Sequence, residues 1–207
     1  SSATAGDAPT CVAMLAAGDL VITEVMPDPD GADDGREWFE LWNASGDTVN
    51  LRDVVITLAK ANGDSKKVHT VTVDLEIQPG GYFTLGDVLP EALPPHIDYG
   101  YGNALGSMNN TAGRLQVFCG ETLVDQVLYG DVKQKYSRSL SGKQEPQAVQ
   151  NDDQTQWCLA AAELYDATNF GTPRAPPPPQ PPPPPPPGPP RGPENPTPHT
   201  PPPPGHT

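Results

Sequence analysis

Basic residues are scarce in this chain of 207: twelve Lys and Arg stand against 26 Asp and Glu, a formal charge of −14. Binding to nucleic acid requires a basic stripe that releases counterions from phosphate, so that partner class is excluded. The same deficit argues against docking on an anionic membrane surface. No run of 18 apolar residues occurs, so membrane insertion by a helix is not expected. Cysteine is limited to three positions and histidine to four, and none of the motifs CxxC, HExxH, GxSxG or GxxxxGK[ST] is present. The expectation is a chain with no cofactor that is not an enzyme.

Proline is abundant and unevenly placed: 21 of the 29 prolines lie in the last 35 residues, Pro173–Thr207. Without Arg174, Arg191 and Glu194, the front segment 1–173 carries −15. That front segment lacks sustained 3.6-residue periodicity. Instead it holds short β-rich runs at Asp19–Met26, Arg36–Asn43, Val54–Lys60, Val68–Ile77, Gly81–Gly86, Gly113–Phe118 and Thr122–Tyr129. Turn signals separate them: DPDGADDG at Asp28–Gly35, then ASGD, NGD, PGG and CGE. Seven such runs over about 110 residues indicate an all-β, antiparallel β-sandwich. Alternation around Gly120-Glu121 marks Gly113–Tyr129 as a hairpin. One short helix is expected near Cys158–Leu164. Asp87–Asn110 reads as a long connection between sheets, and residues 130–172 as coil wrapped on the sandwich.

The C-terminal stretch cannot build a core. Runs such as Pro176–Pro179, Pro181–Pro187 and Pro201–Pro204 lack backbone donors and fix φ, which favours polyproline II. At roughly 3.1 Å per residue the tail reaches on the order of 100 Å. Collagen is excluded because glycine does not recur at every third residue. The expected organisation is an N-terminal arm (1–18), a β-sandwich (19–173) and an extended proline-rich tail (174–207).

Leu20-Val-Ile-Thr-Glu-Val25, an acidic turn, Glu37-Trp-Phe-Glu-Leu-Trp-Asn43 and Val49-Asn-Leu51 follow one another in an order that resembles the opening of the bacterial lamin tail domain. Ile77-Gln-Pro-Gly-Gly-Tyr-Phe-Thr-Leu-Gly86 is similar to its PxGGYxxLG segment, and Val124-Asp-Gln-Val-Leu-Tyr-Gly130 to its VDxVxYG. Ser137-Arg-Ser-Leu140, Asn151-Asp-Asp, Trp157-Cys158 and Phe170-Gly-Thr-Pro173 come next, in the family's order. The resemblance implies an immunoglobulin-like sandwich used for recognition or assembly, without catalytic machinery. Unlike the animal lamin tail, this chain has no heptad rod.

The chain opens on Ser1-Ser-Ala-Thr-Ala rather than methionine, as a mature terminus does after signal removal. A secreted or cell-surface location is therefore expected, and with it a disulfide. Three cysteines allow three pairings. Cys119 ends a strand and Cys158 follows Trp157 in the wrapping coil, so a Cys119–Cys158 link is expected, worth about 3–4 kcal/mol in the chain-entropy view. Sequons for N-linked sugar stand at Asn43 and Asn109, while Thr197, Thr200 and Thr207 among prolines are O-glycan candidates.

Other candidate sites have plain structural alternatives. Asp28, Asp30, Asp33 and Asp34 offer hard oxygens to calcium, but Ala32 replaces a ligand of the EF-hand pattern and Asp33 its glycine. A solvated turn accounts for the same residues. Glu37 and Glu40 lie three apart in a strand, on opposite faces, and so cannot share a substrate. His69 and His96 sit near no nucleophile and read as surface residues. Tyr99 and Tyr101, in a glycine-rich stretch, present either a stacking platform for glycans or a loop with partly buried rings. Together these features favour a non-catalytic extracellular structural module that self-associates into fibres. The alternatives are an accessory module of a secreted hydrolase and a calcium- or carbohydrate-binding adhesion domain. The apolar Val12, Met14 and Leu15 of the arm are expected to add a strand to a neighbouring copy.

Overall fold

The hairpin expected at Gly113–Tyr129 supplies the frame. The computed structural model describes residues 10–176, and its strands are β1 (Leu20–Met26), β2 (Trp38–Asn43), β3 (Val49–Asn50), β4 (Val54–Lys60), β5 (Lys67–Thr70), β6 (Glu76–Ile77), β7 (Tyr82–Gly86), β8 (Tyr99–Gly100), β9 (Gly113–Cys119), β10 (Thr122–Tyr129), β11 (Arg138–Leu140) and β12 (Trp157–Leu159). One sheet has the order β12-β11-β1-β2-β7-β8, a second β10-β9-β4-β5, and β3 pairs with β6. All pairings are antiparallel except β7 with β8. The fold is an immunoglobulin-like β-sandwich.

Alternation decides which side of each strand faces the core. In β9 every second residue is buried, with Leu115 and Val117 inside. In β2, Phe39 and Leu41 enter the core between the sheets. Trp38 points outward into a smaller cluster with Met26, Val88 and Ile97. All of β1 and β2 is buried, because the outward face lies under the coil of the C-terminal third. The wrapping expected for residues 130–172 is thus observed. Asp87–Asn110 does cross between sheets, contributing β8 on the way.

Several expectations are corrected. Val68–Ile77 is two strands in two different sheets. Arg52 and Asn50 grip the Asp74 carboxylate at 2.6–2.9 Å, and the Leu51 N–H donates to the Leu75 carbonyl, drawing the chain away from β4. The β-branched composition was right, but these long-range polar bonds are invisible in it. The helix is Ala148–Asn151 (α1) rather than Cys158–Leu164, since Trp157–Leu159 completes the sheet beside β11.

The expected Cys119–Cys158 bond is replaced by Cys11–Cys119, with Cα atoms 4.9 Å apart. Cys119 ends β9 in the four-stranded sheet, whereas Cys158 lies in β12 at the edge of the other sheet and is free. The described part of the arm, residues 10–18, packs on its own sandwich: Leu15 is buried, Val12 N–H donates to the Arg52 carbonyl and Gly18 N–H to the Val124 carbonyl. Val12 and Met14 remain exposed. The tail beyond Pro176, with Thr197, Thr200 and Thr207, lies outside the described residues.

Candidate functional site

Glu24 and Glu40 are opposite each other in the β1–β2 register, and both point away from the main core. Two carboxylates left there would repel in a dry environment. The chain closes over them with residues 171–175, as a strap. Glu24 accepts from the Ser137 hydroxyl, from Thr172 N–H at 3.0 Å and from the Thr172 hydroxyl at 2.8 Å. Glu40 accepts from the Thr23 hydroxyl and from Arg174 N–H, each at 2.6 Å. Burial pushes the Glu24 carboxyl above its usual range, and burial followed by the Glu24 charge pushes Glu40 well above it. Gly171 is needed here: an added Cβ would stand 2.9 Å from a Glu24 oxygen and 3.1 Å from the Ser137 hydroxyl.

Arg174 extends the clamp, its Nε 3.1 Å from Asp98 and its Nη1 donating to the Pro95 carbonyl at 3.0 Å. Between strap and body runs an open groove of about 900 Å³ lined by Arg36, His96, Tyr165, Asp166 and Arg174 among others. His96 and Tyr165 rings lie 4.6 Å apart, and Tyr165 meets Trp38 edge-on at 5.4 Å.

The bonds made by these carboxylates go to hydroxyls and backbone N–H groups, so they fasten chain to chain. Asp125 acts similarly: it accepts from Ile22 N–H at 2.6 Å and from the Asn151 amide at 2.7 Å, next to a bulge in β10. Burial pushes its carboxyl up to about 7. Glu37 faces the opposite side from Glu40, as expected, accepting from Met108 N–H at 2.7 Å with its carboxyl pushed up to about 9 by burial.

These placements decide the other candidates. Asp30 pairs with Lys135 at 3.2 Å and Asp33 accepts from Asn110 at 2.9 Å, so these two aspartates are engaged separately. Among the described residues no group of three or more His, Cys, Asp or Glu converges as a metal site. Tyr101 is buried, which removes half of the glycan platform, and the Tyr99 hydroxyl bonds His69 at 2.9 Å. His69 and His96 are half-buried rather than surface residues. Asn43 is fully buried, its amide nitrogen donating to the carbonyls of Asp47 and Ile77 at 2.8 Å each, so a glycan there is incompatible with the fold. Asn109 is exposed.

Residues 14–131, more than half of the chain, match the family described as Lamin Tail Domain. The chain belongs to the lamin tail domain family. That family is an immunoglobulin-like structural domain, in agreement with the sandwich above. No curated protein matches the chain. In this lamin tail domain the strap, β11 and β12 lie beyond the matched segment, yet they supply two strands of the six-stranded sheet and the cover over Glu24 and Glu40. Sequence reasoning missed the glutamate pair. The one signal for it was Glu at matching places in two strands that are neighbours in both sequence and sheet.

Proposed function

We propose that this lamin tail domain is a non-catalytic, secreted or cell-surface assembly module that joins copies of itself into an extracellular fibre through its proline-rich tail. The observation that carries the reading is the seating of the tail's root. Thr172 and Arg174 bond two buried glutamates, so the chain is held in place just before the proline-rich stretch begins. An arm held at its root and built of proline loses little entropy when it is captured. Secretion is supported by the Cys11–Cys119 pairing, which an oxidising compartment maintains. The absence of catalysis is supported by carboxylates whose bonds go to the protein's own backbone and hydroxyls.

A second reading, an accessory binding module of a secreted hydrolase, draws on the Tyr165–His96 groove. The two part in one experiment. The full chain and a chain ending at Pro176 are compared by sedimentation velocity and electron microscopy. Self-assembly of the full chain, and monomers with unchanged circular dichroism after truncation, are expected. Fibres that persist undiminished in the truncated protein, or a full chain monomeric at every concentration, would reject the assembly reading.

A further inference from the structure

At the other end of the strap a second cleft opens, of about 370 Å³, walled by Trp42, Tyr82, Pro146 and Pro176, with Glu145 at its side. The Trp42 and Tyr82 rings lie 6.4 Å apart at 42° to each other. Trp42 is fixed by donating its indole N–H to the Gly80 carbonyl at 3.0 Å, and Pro146 is buried beside it. Tyr82 is half-buried. Burial, then Glu40 and Glu145, push its hydroxyl up to about 12, so it stays a hydrogen-bond donor at neutral pH. Trp42 is only 9 % exposed and backs the cleft; half-buried Tyr82, a proline wall and a hydroxyl donor suit a polyproline II ligand, whose carbonyls are unpaired and whose rings pack on aromatic faces.

The described chain ends at this cleft, and 31 residues come after it, rich in proline. Arg191 is their only Lys or Arg. It lies two residues after Pro189, and Pro186 is three residues before that, one polyproline turn. In ideal polyproline II geometry Pro186 and Pro189 would share an edge, with Arg191 about 6 Å further on at 3.1 Å per residue. Its positive charge is the complement of Glu145 at the side of the cleft. Of the nine residues between Pro176 and Pro186, eight are proline, with Gln180 the exception. A run of prolines is a stiff spacer, which disfavours return to the wall from which it starts and favours a second copy as the donor.

The geometry points to a polyproline-docking cleft at Trp42–Tyr82, and we propose that its occupant is the Pro186–Arg191 segment of a second copy. This inference rests on the assembly reading and gives it a contact. A tail from one copy in the cleft of the next is a head-to-tail interaction that need not close, and repetition yields an open filament.

The test uses the full chain. Arg191→Glu and Glu145→Lys are each expected to weaken self-association about two- to fivefold, as a partly exposed ion pair does, and the double variant to recover it to within about twofold. Tyr82→Ala is expected to weaken it at least about fivefold. A synthetic peptide of residues 181–198, titrated into the full chain, is expected to shift the Trp42 indole N–H resonance, assigned with Trp42→Phe, and the Arg191→Glu peptide to shift it far less. Assembly indifferent to all three substitutions, together with a silent Trp42 resonance, overturns the cleft while the assembly reading stands. A peptide that binds in a chain that never assembles upholds the polyproline cleft, but overturns the second copy as its occupant and with it the assembly reading.

Discussion

Glu37 is held inside the sandwich with one oxygen on the Met108 N–H, while its other oxygen has no partner among the described residues. Its carboxyl is raised to about 9, by burial first and then by Asp87, Asp33 and Asp28. An unfolded glutamate titrates near 4.3. Because the folded value is the higher one, the stabilising contribution is complete below about pH 4 and fades as pH rises towards 9. Glu37→Gln keeps a hydrogen-bond acceptor for Met108 and removes the charge. Thermal melts between pH 5 and 9 should show the variant gaining on wild type as pH rises; a constant offset would disprove this account. The cysteines give a second test at this scale. Cys11→Ser should cost about 2–5 kcal/mol, whereas Cys158→Ser should leave chemical denaturation close to wild type.

The strap is an element without regular structure, held by polar bonds to buried groups. Gly171→Ala puts a methyl group against Glu24, Ser137 and Tyr165, a crowding worth about 1–3 kcal/mol. Limited proteolysis should then cut within residues 160–176 sooner, while hydrogen exchange in the β9–β10 hairpin stays slow. Equal acceleration in both regions would mean that the strap is not a separable unit. This element also marks where sequence reading stops. The strands of the hairpin and β2 were legible from alternation, since side-chain direction there follows from period two alone. Cover over the second face of β2 was legible too, because Trp38 and Trp42 are too large to leave in water. The particular bonds that fasten the cover were not. That Thr172 and Arg174 answer Glu24 and Glu40 depends on contacts across more than 130 positions, and no local pattern encodes them. The same limit holds for the disulfide: the sequence places Cys119 at its strand end, but which cysteine lies beside it is a matter of sheet assignment.

For the whole molecule, the raised carboxyls act together. Glu24 and Glu40 are raised, Asp125 sits at about 7 and Asp87 at about 6, all with burial as the leading cause. Each loses its stabilising contribution as pH climbs from the usual carboxylate range through its folded value. His69 and His96 are lowered by burial and act in the opposite sense below about pH 6.5. The carboxyls outnumber them, so the melting temperature should be higher near pH 5.5 than near pH 8.5; a protein most stable above pH 8 would contradict the assignment. The disulfide sets a different property, the response to tension. A pull applied between the two ends enters at Cys11, crosses directly to Cys119 and bypasses everything between them, a separation of 108 positions. Only residues 120–176 can then be drawn out of the described body, about 200 Å of contour, and roughly three times as much once the bond is reduced. Single-molecule stretching would read that ratio directly. In a fibre under load, the sulfur bridge would thus act as a stop that caps how far each subunit can lengthen while leaving β1 to β9 out of the line of force.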